Sequence, residues 1–228
     1  MKQINKFSDS RLDGCCIYCG GKPETRDHVP SKILIDNPFP KNLPVVPACD
    51  KCNKGFSQDE EYFACLLGCV LSGSTEPDDI NRKKIKTILI RKHKLRARLE
   101  KAKVIQGNQT FFQIEEDRVN NVILKLAKGH ATYENSELQL NGPTSISKRV
   151  FALMSEEEKL NYFSRNSELL PEIGSRAFQR LFTEDDNFID NWIVVQKDKY
   201  MYSVEQGALR LKVKFLIWNY LACEVTWD

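Results

Sequence analysis

Hydrophobic and polar positions divide this chain into stretches of different texture. Up to about residue 55 the apolar residues come in short runs broken by Pro30, Pro38, Pro40, Pro44 and Pro47. Proline lacks the donor a helix interior needs, so this region holds no long helix, and Leu43-Pro-Val-Val-Pro47 leaves room only for a short extended segment. A helical period follows. Phe56, Phe63, Leu66, Leu67 and Val70 recur at near-helical spacing, and Ser57-x-x-Glu60 resembles a capping box at the start. The polar residues 72–79 read as a linker and helix start. From Ile80 to about Gln106, the positions of Ile85, Ile88, Leu89, Leu95, Leu99 and Val104 predict one long helix stopped by Gly107.

Phe111-Phe-Gln-Ile114 predicts a short strand, and a further helix is expected from about Asp117 to Lys128, ended by Gly129. Residues 130–146 read as loop. Ser155-Glu-Glu-Glu158 announces a capped helix to about Arg165, and a shorter one spans Gly174 to Phe182. From Asn191 the texture becomes β: Trp192–Val195, Tyr200–Val204, Leu209–Phe215 and a last strand ending at Trp227 carry aromatic and branched residues. Turns are expected at Lys197-Asp198, at Gln206-Gly207 and near Asn219, which makes an antiparallel meander. The fold class is α+β: an N-terminal ββα module, a helical segment and a C-terminal antiparallel β-meander. Residues 1–75 are expected to form the module. Residues 76–228 would form an accessory domain for target binding or dimerisation, with the basic helix 80–106, helices to about 183 and strands over 191–228.

At 228 residues, 41% hydrophobic and 29% charged, the chain can bury a core and reads as a soluble globular protein. No apolar run has the length of a membrane span and the N-terminus carries no hydrophobic signal core, so the cytoplasm is the expected compartment. Reducing conditions there argue against a disulfide framework for the eight cysteines. The net charge of +3 hides a basic block: residues 80–130 carry +10 and residues 131–228 carry −4. Such a block suggests a polyanionic partner.

The chemistry concentrates between residues 16 and 53. Cys16-x-x-Cys19 and Cys49-x-x-Cys52 each present two thiolates from a tight turn, and together they suit a tetrahedral structural zinc. Cys15 is an alternative to Cys16, though the two-residue spacing to Cys19 favours Cys16, and Cys65, Cys69 and Cys223 lack the pattern. Asp27-His28 lies between the two pairs, Asn42 follows it, and Asn53 stands directly after the last cysteine. With four cysteines at hand His28 is not needed as a ligand. A neutral imidazole can take a proton from water as a general base; the alternative is a buried structural histidine.

In this order and spacing, C-x2-C, Asp27-His28-Val-x-Pro30, Asn42-Leu and C-x2-C-Asn53-x-x-Phe56, the stretch from Cys16 to about Leu71 resembles the HNH endonuclease family, in its four-Cys zinc subclass of the ββα-metal fold. The resemblance implies that Asp27 and Asn53 hold a catalytic Mg²⁺ or Mn²⁺, that His28 activates the attacking water, and that Asn42 orients the His28 imidazole. Asn53 stands where the family's name puts histidine, and its harder amide oxygen favours Mg²⁺ or Mn²⁺ over softer ions. The expected activity is hydrolysis of phosphodiester bonds in DNA, leaving a 5′-phosphate and a 3′-hydroxyl. A module of this kind nicks one strand, so a double-strand break calls for two sites and hence a homodimer. An RNA-directed or toxin-like nuclease and a non-catalytic zinc-dependent nucleic-acid-binding protein are the rival readings. Restriction, phage defence, mobile-element mobility and housekeeping processing are all compatible settings.

Outside the motif, Arg82, Lys83, Lys84, Lys86, Arg91, Lys92 and Lys94 read as contacts to a phosphate backbone. His93 is expected to be exposed and His130 to lie in a loop. Trp192, Trp218 and Trp227 belong either to base stacking, to the sheet core or to a dimer interface.

Overall fold

Proline confines the first strands to four residues each: β1 (Thr25–His28) and β2 (Val45–Ala48) pair antiparallel, with Asp27 opposite Val46 and His28 opposite Val45. The structure, a computed structural model, describes residues 14–41, 43–164, 171, 173–180, 188–189, 192–208 and 210–228. Helix α1 (Asp50–Ser72) starts at the second cysteine pair. Ser57 therefore lies inside it and is no cap; its Oγ donates to the Lys54 carbonyl at 2.8 Å. The single helix expected over 80–106 is two helices and a strand. α2 (Lys83–Arg91) and α3 (His93–Ala102) are separated at Lys92, which leaves helical geometry at φ −110° and ψ 70°. β3 (Lys103–Gln106) then turns through Gly107, at φ +59°, into β4 (Gln109–Phe112). Glycine at the first turn position is what a two-residue hairpin demands, and this role, not helix termination, explains Gly107.

Helix α4 (Glu116–Asn135) runs straight through Gly129. A Cβ at that position would sit 2.5 Å from Val29 Cγ2, so the glycine permits close packing against the residue after His28. The expected loop over 130–146 thus begins with helix, and from Ser145 it becomes β5 (Ser145–Val150). α5 (Glu156–Phe163) carries the capping box at Ser155 and Glu158. α6 (Arg176–Arg180) is the shorter helix; Arg165 and residues 181–182 at the expected helix ends lie outside the described residues. β6 (Phe188–Ile189), β7 (Trp192–Gln196), β8 (Tyr200–Gln206), β9 (Leu211–Ile217) and β10 (Leu221–Trp227) complete the chain, and Leu209 lies outside the described residues.

The chain forms two compact units, Met1–Asn53 with Ile123–Asp228, and Lys54–Val122. Both boundaries fall inside continuous helices, α1 and α4, and not in the 72–79 stretch that reads as a linker. In the first unit a six-stranded antiparallel sheet has the order β5-β10-β9-β8-β7-β6. Its turns lie where expected, with left-handed backbone at Asp198 and at Trp218 and Asn219. Both faces are covered. Tyr200, Tyr202 and Phe215 meet His130 of α4, while Trp192, Leu216 and Ala222 pack with Met154 and Tyr162. Trp192, Trp218 and Trp227 are all buried, which places them in the core and away from base stacking.

The same sheet fixes the segment that follows β1. Trp218 Nε1 donates to the Leu34 carbonyl at 2.7 Å, and Gln196 exchanges two hydrogen bonds with the Asp36 backbone at 2.8 and 2.9 Å. In the second unit, α1 and α2 approach so closely that a Cβ on Gly68 would meet Ile85 Cγ2 at 2.9 Å. No helix among the described residues is long and apolar enough to cross a membrane.

Candidate metal centre and the Asp27–His28 strand

The two cysteine knuckles come together. The sulfurs of Cys16, Cys19, Cys49 and Cys52 all lie within 4.8 Å of one another, close enough to hold a metal ion such as zinc. Four sulfurs about 2.3 Å from a tetrahedral zinc stand about 3.8 Å apart; Cys19 Sγ and Cys49 Sγ are 3.8 Å apart. The turn that presents them is built locally. Gly20 adopts φ +74° and donates its N–H to the Cys16 carbonyl at 2.8 Å, and the Cys52 N–H points at Cys49 Sγ at 3.3 Å. Burial raises the Cys16 thiol, but hydrogen bonds from the Cys49, Tyr18 and Cys19 backbone outweigh it and bring the group down to about 7. Cys52 moves the other way, pushed up by burial and by the surrounding thiols. Cys65 and Cys69 are buried in α1, where desolvation first raises both thiols, followed by Cys69 and then Glu61 at Cys65 and by Glu100 at Cys69.

Asp27 and His28 end strand β1. Asp27 is 7% exposed, and its Oδ2 accepts two hydrogen bonds: from Tyr18 Oη at 2.7 Å and from Lys125 Nζ at 2.9 Å. Tyr18 stands between Cys16 and Cys19, so the first knuckle is tied directly to the carboxylate. Lys125 comes from α4, one helical turn before Gly129, and also donates to Ser31 Oγ at 2.7 Å. His28 is half-buried. Burial first and the Lys32 charge second lower its pKa below the usual 6.5; Asp27 opposes them and Lys125 adds a smaller lowering, which favours the neutral imidazole.

Asn53, in the first turn of α1, reaches the same strand. Its Nδ2 donates to Thr25 Oγ1 at 3.1 Å and to the Arg26 carbonyl at 3.4 Å, which turns the amide oxygen the other way. Thr25 and Asp27 are two apart on β1 and so share one of its faces. A second tie, from the Asp50 N–H to Glu24 Oε2 at 3.1 Å, sets the start of α1 against the entry to β1. Asp27 and His28 thus lie on β1 with their side chains on opposite faces, and Asn53 is bonded to Thr25 and Arg26 of the same strand. Asn42 lies outside the described residues. One carboxylate and one amide oxygen are donor types that a hard divalent cation keeping several waters takes; Asp27 on β1 and Asn53 on α1 offer one of each.

Sequence reasoning missed Tyr18 and Lys125. A residue inside a C-x-x-C knuckle carries no signal of its own. Lys125 had one: a lysine embedded in Val122-Ile-Leu-Lys-Leu-Ala127 has few ways to reach water. In the second unit, Lys83, Arg91 and Lys94 are exposed, as is His93. Other basic residues there are engaged within the unit: Lys86 with Asp78 and Lys92 with Glu61, both at 2.7 Å, and Arg96 with Glu76. Asp59 and Glu61 are likewise paired, Asp59 with Arg118 at 3.3 Å and with Asn121 Nδ2 at 2.7 Å. His130 is wholly buried in α4, contrary to the loop expectation. No family model matches this chain, and neither a curated protein nor a solved structure matches it.

Proposed function

We propose that the chain is a metal-dependent endonuclease of the HNH type, with zinc at Cys16, Cys19, Cys49 and Cys52 and a catalytic Mg²⁺ or Mn²⁺ held by Asp27 and Asn53. The observation that carries this reading is that Asp27 and His28 lie on β1 with Asn53 bonded to the same strand, and that Tyr18 ties Asp27 to a sulfur cluster of zinc dimensions. His28 takes the proton from the attacking water. Its depressed pKa keeps it in the form that can do so. Asp27 and Asn53 would hold the cation, which when bound would supply charge neutralisation at the phosphate and at the leaving 3′-oxygen. Breaking that P–O bond leaves a 5′-phosphate and a 3′-hydroxyl. The basic stretch 82–103 and the exposed Lys83, Arg91 and Lys94 favour a nucleic-acid substrate, and DNA is the substrate proposed.

The deciding experiment compares wild type with His28→Ala on supercoiled plasmid, linear DNA and RNA, with Mg²⁺ or with EDTA. Nicking of plasmid that needs Mg²⁺ and falls by at least about a hundredfold in His28→Ala is the expected result for loss of a general base. Cleavage that survives the substitution removes the catalytic assignment, and activity on RNA alone changes the substrate.

A further inference from the structure

We infer that Lys125 is a positioning residue of the Asp27 site: with Tyr18 it occupies one carboxylate oxygen, so that Asp27 meets a divalent cation through the other oxygen only, and its charge keeps cation binding weak until a phosphate joins. The inference rests on the reading of Asp27 as a cation ligand. Lys125 is 1% exposed, and its ammonium sits 2.9 Å from Asp27 Oδ2 and 2.7 Å from Ser31 Oγ. Tyr18 Oη lies 2.7 Å from the same Oδ2. Oδ1 takes part in neither contact. Turning the carboxylate to offer both oxygens to a cation breaks two buried hydrogen bonds, one of them charge-assisted.

Packing alone does not account for the residue. A buried ammonium is costly to desolvate, and its bonds to Asp27 and Ser31 offset that cost. Two further features place α4 here deliberately. Gly129, one turn on from Lys125, lets the helix pack directly on Val29, the residue after His28. Ser31, the second acceptor, is itself 4% exposed, so the lysine is held from two sides of the chain that follows the Asp27-His28 pair. A fixed positive charge a few ångströms from a divalent ion opposes its binding strongly where water is scarce. A phosphate brings the negative charge that relieves this opposition, which couples cation capture to substrate.

The test is direct binding of Mn²⁺, read from the loss of the free-ion electron paramagnetic resonance signal, to the zinc-loaded full chain. Wild type, Lys125→Met, Lys125→Gln, Lys125→Arg and Asp27→Asn are compared, with thermal melting and plasmid nicking in parallel. Wild type binds one Mn²⁺ weakly, and Asp27→Asn removes that binding. Lys125→Met and Lys125→Gln bind Mn²⁺ alone about tenfold more tightly, because the charge is gone, and Lys125→Met, which also frees Asp27 to turn, nicks at least about tenfold more slowly at saturating metal. Lys125→Arg keeps the wild-type affinity. A merely structural lysine would loosen metal binding and slow nicking together. Should Lys125→Met fail to fold, Lys125→Gln carries the comparison, since its amide can still donate to Asp27. Unchanged or weaker Mn²⁺ binding in Lys125→Gln overturns the inference, as does failure of that variant to fold. Mn²⁺ binding that is absent from wild type, or unaffected by Asp27→Asn, removes the ligand reading itself.

Discussion

His130 shows what a single buried titratable group does to this fold. Its ring is wholly buried and stacks on Tyr202 at 3.7 Å between centroids. Nε2 lies 2.8 Å from Tyr200 Oη, and Nδ1 has no partner among the described residues. Burial first, and the Lys125 charge second, hold its pKa well below the ordinary 6.5. The folded chain therefore keeps the imidazole neutral while the unfolded chain protonates it below about 6.5. The unfolded state binds the extra proton, so stability falls as pH drops through that window, by at most about 1.4 kcal/mol per pH unit. Urea unfolding at pH 7.5 and pH 5 measures this. The loss on acidification should be smaller in His130→Gln than in wild type, whatever the cysteine thiolates contribute to both. Equal losses would mean that His130 titrates normally and is not sealed.

At the scale of elements, α4 decides how the site is held. Alanine is a better helix former than glycine by about 1 kcal/mol, so Gly129→Ala at an exposed helix position would stabilise. Here the added Cβ meets Val29 at 2.5 Å, and overpacking of a tight contact costs about 1–3 kcal/mol. Gly129→Ala should therefore lower stability by about 1 kcal/mol, and Val29→Ala in the same chain should restore it, both read from urea midpoints. This also shows why α4 was misjudged from sequence. Glycine stops helices and permits close approach, and only the partner, distant in sequence, distinguishes the two. The meander was legible because period-two aromatic and branched residues admit few alternatives, and the cap at Ser155 because its partner is three residues away. The break at Lys92 was not, since no proline or glycine marks it. The cysteine cluster could be read from spacing alone, while Tyr18 and Lys125 reach Asp27 through contacts that spacing does not encode.

At the scale of the whole molecule, the motif-bearing stretch does not stand alone. The resemblance ends near residue 71, but the first compact unit joins residues up to Asn53 with everything from Ile123 onward. Asp27 takes a partner from α4, Leu34 from the β9–β10 turn and Asp36 from β7. The six-stranded sheet thus holds the segment that follows β1, while α4 holds Asp27 itself. Residues 1–75 expressed alone lose all of these partners while keeping the four cysteines. That fragment should bind one zinc, since the sulfurs come from local turns, yet show no cooperative thermal transition and no Asp27-dependent Mn²⁺ binding. The full chain should melt in one sharp step for this unit, and zinc removal by a chelator should lower its midpoint by several degrees or more, because zinc ligation is folding free energy for so small a hairpin. Calorimetry of the fragment and of the full chain, each with and without chelator, separates the two ideas. A sharply melting, Mn²⁺-binding fragment would make the module autonomous, and the sheet would then have to be explained by what it recognises.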